Sequence, residues 1–278
     1  MQKTLPVLAC LLLLYATGKS QELYVFTEPA SNMPAKSIST KISSKLLQSE
    51  THHANRIMQR YTPEVMFGIS KQWMVHGTAT FSDMYSSNLR WESVKLYAKY
   101  RFLSLDDVHT HFRMALFGDV AYSVNPVTFD ELSLDGDHSG VQGGLVATQL
   151  WNKLALSTTL SYLKVTTKKP RFNAEAYPYS AFNYTASAGY LLLPFRYTSY
   201  KQTNVNLYAE LLGQQTLDRK MYYVDLAPAI QVIFNSNAKV NVGYRFQLNT
   251  NMQRMAEKSW LVSFEYVFLN ALRRKPNN

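Results

Sequence analysis

Beyond residue 35 the chain alternates, position by position, between apolar and polar side chains. Lys239 to Leu248 shows this most clearly. Val240, Val242, Tyr244, Phe246 and Leu248 share one face, and Lys239, Asn241, Gly243, Arg245 and Gln247 share the other. Trp260 to Phe268 repeats the pattern, with Trp260, Val262, Phe264, Tyr266 and Phe268 on one side. Val94 to Phe102 sets Val94, Leu96, Ala98, Tyr100 and Phe102 against Lys95, Tyr97, Lys99 and Arg101. A repeat of two is that of an extended strand. It predicts about twelve strands, at 36–46, 61–70, 73–82, 91–102, 111–123, 139–150, 154–163, 180–192, 203–214, 221–234, 238–248 and 259–269. Most exceed the roughly five or six residues usual in soluble sheets and match the roughly nine to eleven of a tilted membrane strand. The predicted fold is all-β: a closed antiparallel transmembrane β-barrel of about twelve strands.

The connections alternate in length. Lys71-Gln72, Trp151-Asn152-Lys153 and Asn235-Ser236-Asn237 are tight turns. The segments 47–60, 83–90, 123–138, 164–179 and 249–258 are long and polar. Short periplasmic turns and long outer loops give this rhythm, although the links 103–110 and 193–202 are longer than it requires. The four tryptophans, Trp73, Trp91, Trp151 and Trp260, fall near predicted strand ends, with Phe102, Phe112, Tyr122, Tyr162, Phe182 and Phe268. That placement predicts two aromatic girdles at the membrane interfaces.

Residues 1–20 read as a signal peptide: Lys3, an apolar run from Leu5 to Ala16, then Gly18-Lys19-Ser20 before Gln21. The apolar run is too short for a membrane-spanning helix of about twenty residues. Val7-Leu8-Ala9-Cys10 has the look of a lipobox, but an anchor at Cys10 would strand the leucines after it. Residues 21–35 are expected to form a periplasmic N-terminal arm, with Tyr24, Val25 and Phe26 packed against the barrel. The barrel then occupies 36–269 and a polar tail 270–278. An even strand number places both mature termini in the periplasm, and the whole in the bacterial outer membrane.

The one cysteine, Cys10, lies in the leader, so the mature chain has no disulfide or thiol chemistry. The formal net charge is +10, yet no run of five Lys/Arg occurs. Contact with outer-membrane lipid and lipopolysaccharide fits this spread better than nucleic acid does.

If the aromatic faces meet lipid, the lumen receives Lys95, Lys99, Arg101, Arg113, Lys239 and Arg245 against Glu64, Asp119, Glu210, Asp225 and Glu265, together with His76 and Tyr97. These are the expected pore-lining residues. Turn geometry sets Glu64 opposite Thr78 and diagonal to His76, and Asp225 diagonal to Arg245, as ion pairs. If Phe102 pairs with Phe112, Arg101 lies opposite Arg113, which predicts a partly uncompensated positive cluster near the periplasmic mouth. Asp106, Asp107, His109 and His111 form a weak metal candidate, because an H-x-H pair on extended chain points two imidazoles one way. His52-His53 is weaker still. No G-x-S-x-G, phosphate loop or zinc signature appears. Neither an enzyme nor a cofactor is expected.

The final strand, Trp260-Leu261-Val262-Ser263-Phe264-Glu265-Tyr266-Val267-Phe268, is similar to the signal read by the barrel-insertion machinery, although here a tail, Leu269 to Asn278, follows it. With the leader and the alternating strands, the chain resembles an outer-membrane β-barrel protein of the Bacteroidota type. It is also similar to a poorly characterised porin-like, transporter-like group with segments such as LYVFTEPASNMPAKSI (Leu23 to Ile38) and FLSLDDVHTHFRMA (Phe102 to Ala115). The resemblance implies the barrel-insertion machinery as partner and assigns no reaction. The leading functional expectation is a narrow passive channel or transporter for small solutes, with a weak anion preference. The alternative is a largely closed structural or interaction barrel that binds a partner through its loops or arm.

Overall fold

A computed structural model of the protein describes residues 24–49, 56–108, 110–167, 177–195, 199, 201–218 and 220–273. The leader and His52-His53 lie outside them. The strands are β1 (Ser37–Gln48), β2 (Ile57–Gly68), β3 (Trp73–Ser82), β4 (Arg90–Asp106), β5 (Thr110–Ser123) and β6 (Gly140–Trp151). They continue as β7 (Leu154–Val165), β8 (Ser180–Leu193), β9 (Asn204–Thr216), β10 (Tyr222–Phe234), β11 (Ala238–Thr250) and β12 (Lys258–Phe268). Each pairs antiparallel with its sequence neighbours, and β1 pairs with β12 to close the barrel. Closure leaves no edge of unpaired backbone groups, the condition for a sheet to sit in hydrocarbon.

The alternation faces as expected. Leu96, Leu160, Trp260, Val262 and Phe264 are exposed on the outside, whereas Lys99, Glu210, Asp225 and Ser263 are buried inside. Aromatic pairs mark the two rims. Trp73 stacks on Tyr100 at the short-turn end, with ring centroids 4.8 Å apart. Trp91 and Tyr122 stack at the long-loop end.

Three expectations are corrected. First, β4 runs to Asp106 and β5 begins at Thr110, so the supposed link 103–110 is mostly strand. Second, a bulge at Phe102 shifts the register, putting Arg101 opposite Ala115 and Arg113 opposite Ser104. The two arginines therefore do not oppose one another. Third, the expected periplasmic arm enters the barrel. Tyr24 and Val25 pack within the lumen on Ala155, Tyr208, Ile233 and Leu261, with Phe26 against the same cluster. They do pack against the barrel, but from inside.

A second bulge lies between the Thr80–Ser93 and Phe81–Trp91 pairs. Strict alternation from Lys95 would point Trp91 inward and Glu92 outward. The extra residue reverses this, as bulges do. Trp91 joins the outer girdle and Glu92 is buried inside.

The lipid face of β12 yields a prediction. Phe264 is 48% exposed and Tyr266 37% exposed on the outer surface. Phe264→Asp or Tyr266→Asp places a carboxylate in hydrocarbon, at a cost below the roughly 2–4 kcal/mol of a Lys or Arg at mid-membrane. Both variants should fail to give the heat-modifiable folded band in outer-membrane fractions. A normal folded band would contradict the assigned face.

Candidate functional site

The lumen is shaped by a belt of the wall and by segments that fold into it. The belt follows directly from register. Lys239 pairs with Glu265, Glu265 with Lys41, Lys41 with Glu64, Glu64 with Thr78, and Thr78 with Lys95. Charges of opposite sign thus face each other from β11 to β2. Lys239 Nζ lies 3.1 Å from Glu265 Oε1, which also accepts the Ser39 hydroxyl at 2.8 Å. The Thr78 hydroxyl donates to Glu64 at 3.2 Å, and His76 Nδ1 lies 3.4 Å from the other Glu64 oxygen. Such directly opposed pairs contribute roughly 0.2–1 kcal/mol each.

The first inserted segment is residues 24–35. It enters over Gly68, where a Cβ would collide with the Pro34 carbonyl. Asn32 donates to the Gln72 carbonyl at 2.7 Å, and the Ser31 hydroxyl accepts from Arg113 at 2.8 Å. The Ala30 N–H donates to the Thr148 hydroxyl at 2.9 Å. Lys99 Nζ donates to Glu28 at 3.0 Å and to the Pro29 carbonyl at 2.9 Å. Burial would raise the Glu28 carboxyl, but Lys99 and His76 outweigh it and hold it at about 2. The segment ends on Glu210. That carboxylate accepts the N–H groups of Val25, Phe26 and Thr27 at 2.8, 3.0 and 2.9 Å, and the Thr27 hydroxyl at 2.7 Å.

The second inserted segment is residues 124–139, between β5 and β6, where the sequence leads to an outer loop at 123–138. Gly136, at φ 119°, makes a turn closed to L side chains, and its carbonyl accepts from Ser123 Oγ at 2.7 Å and Asn125 Nδ2 at 2.9 Å. Three carboxylates then engage the wall. Asp137 meets Arg60 at 2.5 Å, and Arg60 also meets the buried Glu92 at 3.3 Å. Asp135 pairs with Lys95, with Lys45 at 3.9 Å. Lys95 chiefly, and Lys45 after the opposing effect of burial, hold the Asp135 carboxyl far below its ordinary range. Glu131 meets Arg245 at 3.3 Å and Arg254 at 3.0 Å. Both arginines share Asp225, at 2.5 and 2.6 Å, and the Tyr223 ring lies 3.9 Å beneath Arg254.

A cavity of about 590 Å³ remains between the first segment and the β1–β4 and β10–β12 walls. A second, of about 270 Å³, lies between the two segments. Of the expected pore-lining residues, the larger cavity is lined by Glu64, His76, Lys95, Tyr97, Lys99, Arg101, Arg113, Asp119 and Glu265. Arg245 lines the smaller one. Glu210 and Asp225 face inward but are sealed, at 0% and 1% exposed.

The uncompensated positive cluster is corrected. Lys99 has Glu28, Lys95 has Asp135, and Arg113 has Asp106 at 2.8 Å. That last contact also bears on the metal candidate. Asp106 is engaged by Arg113 and by His111 Nδ1 at 2.9 Å, while His109 lies outside the described residues. Among the described residues no group of three His, Cys, Asp or Glu is placed to hold a metal.

Residues missed from the sequence are Lys41, Lys45, Arg60 and Glu92 on the wall, Glu28, Glu131, Asp135 and Asp137 on the inserted segments, and Arg254 in the connection between β11 and β12. Lys41 and Lys45 share the parity of Ser39 and Ser43, and Arg60 that of Glu64, so alternation could have found them. No local signal marks the inserted carboxylates.

A closed twelve-strand barrel with a polar lumen narrowed from within is an outer-membrane porin type of fold. No protein-family model and no curated protein matches the chain. Solved structures do. An outer membrane channel from Pseudomonas putida F1 aligns over 88% of this chain and 100% of its own, at TM-score 0.52 and 9% identity. The NanC porin aligns over 82% and 98%, at TM-score 0.50 and 12% identity. At these identities the likeness is one of fold.

The Asp225 cluster makes a prediction. Asp225→Asn leaves Arg245 and Arg254 with Glu131 as their remaining carboxylate partner among the contacts described. Breaking a buried pair costs about 3–5 kcal/mol. The heat-modifiable band should convert to the unfolded form at a clearly lower temperature, and adding Arg254→Met should recover part of the loss. An unchanged conversion temperature would contradict the role given to this cluster.

Proposed function

We propose that the protein is an outer-membrane channel for small solutes, narrowed by residues 24–35 and 124–139. The supporting observation is the space left beside the inserted segments: a cavity of about 590 Å³ with a charged lining, within a closed barrel. A barrel built solely as a scaffold would gain from filling that space with apolar side chains, since unfilled volume forfeits packing. On this reading the long loops face outward among lipopolysaccharide, and both mature termini lie in the periplasm. The β12 strand engages the insertion machinery. The Bacteroidota type belongs to the same proposal and rests on the leader and the β12 pattern.

The solute preference proposed is weakly anionic. The larger cavity is lined by Lys41, Lys45, Lys95, Lys99, Arg101, Arg113 and Lys239 against Glu28, Glu64, Asp119, Asp135 and Glu265. The small excess of cations, held against a low-dielectric wall, draws anions modestly and less so at high salt.

In planar bilayers the purified protein should give discrete current steps, and deletion of residues 24–33 should raise their size severalfold. Under a salt gradient, Lys41→Glu with Lys45→Glu should move the reversal potential toward cations. An absence of steps in both proteins would exclude a conducting lumen. A potential unmoved by the charge reversals would show that these lysines do not line the path.

A further inference from the structure

Beside the ionic belt, the β2 and β3 wall carries thioethers. Met66 on β2 stands directly opposite His76 on β3, and Gly68 opposite Met74. The bare surface of Gly68 is covered by Met33 of the inserted segment, whose Cγ lies 3.0 Å from where a Cβ would be. Met66, His76, Met74 and Met33 therefore form one contiguous patch, two residues by two, and all four line the larger cavity. Met66, Met74 and His76 are buried, and neither ring nitrogen of His76 has a hydrogen bond. His76 Nδ1 has Glu64 beside it at 3.4 Å, but Nε2 has no partner, which is costly for a buried nitrogen, and leucine would fill the methionine positions as well. The ring also packs on Tyr97, with centroids 4.3 Å apart.

We propose that this patch is a binding site for a soft monovalent metal ion of the Cu(I) class. Thioether sulfur and imidazole nitrogen select such ions over hard or borderline cations. Glu64 completes the arrangement: its Oε1 has no hydrogen bond and lies 3.4 Å from His76 Nδ1. A carboxylate on one ring nitrogen orients the imidazole and leaves Nε2 for the metal, a common outer-shell device. The site stands at a lumen wall that also holds Lys99, paired to Glu28, and Lys41, set between Glu64 and Glu265. The neighbouring cations are thus matched by carboxylates, and an ion of single charge can enter. The inference goes beyond the channel reading and does not need it, because binding is read without a current.

The test uses the full mature protein folded in detergent, with Ag(I) as an air-stable probe, Cu(I) held by a competing chelator as a second, and Zn(II) as the control. Calorimetry should show one Ag(I) bound per chain. With ¹³C-methyl methionine, the signals of Met33, Met66 and Met74 should shift while those of Met58, Met84 and Met252 stay in place. Met66→Leu, Met74→Leu and His76→Gln, each checked for the folded band, should abolish binding. Glu64→Gln should weaken it about 10–100-fold. The proposal is overturned if wild type binds no Ag(I), if the leucine variants bind it unchanged, or if Zn(II) binds as tightly. Should a variant fail to fold, the methyl shifts of the wild type decide.

Discussion

Four carboxylates carried into the lumen by segments outside the strands each meet a cation of the barrel wall. Glu28 meets Lys99, Glu131 meets Arg245, Asp135 meets Lys95 and Asp137 meets Arg60. The remaining interior follows from this pairing. A barrel of this size has too wide a bore for its own side chains to fill, and a wall rich in Lys and Arg repels itself. The inserted segments supply volume and opposite charge together. Their backbones are satisfied in the same way, by Glu210 on one side and by Ser123 and Asn125 on the other.

The fold was legible because the membrane makes every strand obey one rule. Outward positions must be apolar, inward ones polar, and the backbone must close. Val240 to Leu248 obeys it throughout, and Trp260 to Phe268 departs from it at Leu261 and Val267, apolar residues on the inward face. Two short-range pairs, Glu64 with Thr78 and Asp225 with Arg245, were also legible, since a tight turn sets their register. Legibility ended where the pattern slipped. The bulges at Glu92 and Phe102 are single-residue faults that no local composition marks, and the second moved Arg113 away from Arg101. It ended again at residues 24–35 and 124–139. A polar segment outside the strands reads the same in water or in a lumen, and its carboxylates find partners far away in sequence, Asp137 with Arg60 for one.

Function follows from what the pairing leaves unfilled. The ionic networks gather around the inserted segments and the belt from Lys239 to Lys95, and an open, charged space remains beside them. The thioether patch of Met33, Met66 and Met74 with His76 borders that space on the β2 and β3 wall. A conducting path and a soft-ion site would thus share one chamber. The first depends on its net charge and the second on its ligand atoms.

The direct measurement is whether residue 30 lies inside the folded barrel. Ala30 packs with Ala115 and Val146, and both alanines are fully buried. The chain has one cysteine, in the leader, so Ala30→Cys with Ala115→Cys introduces the one thiol pair of the mature protein. Oxidation of the folded, purified barrel should cross-link the two within one chain, while a bulky impermeant maleimide leaves them unlabelled. Rapid maleimide labelling of position 30 with no cross-link would place the segment outside the lumen and contradict the account.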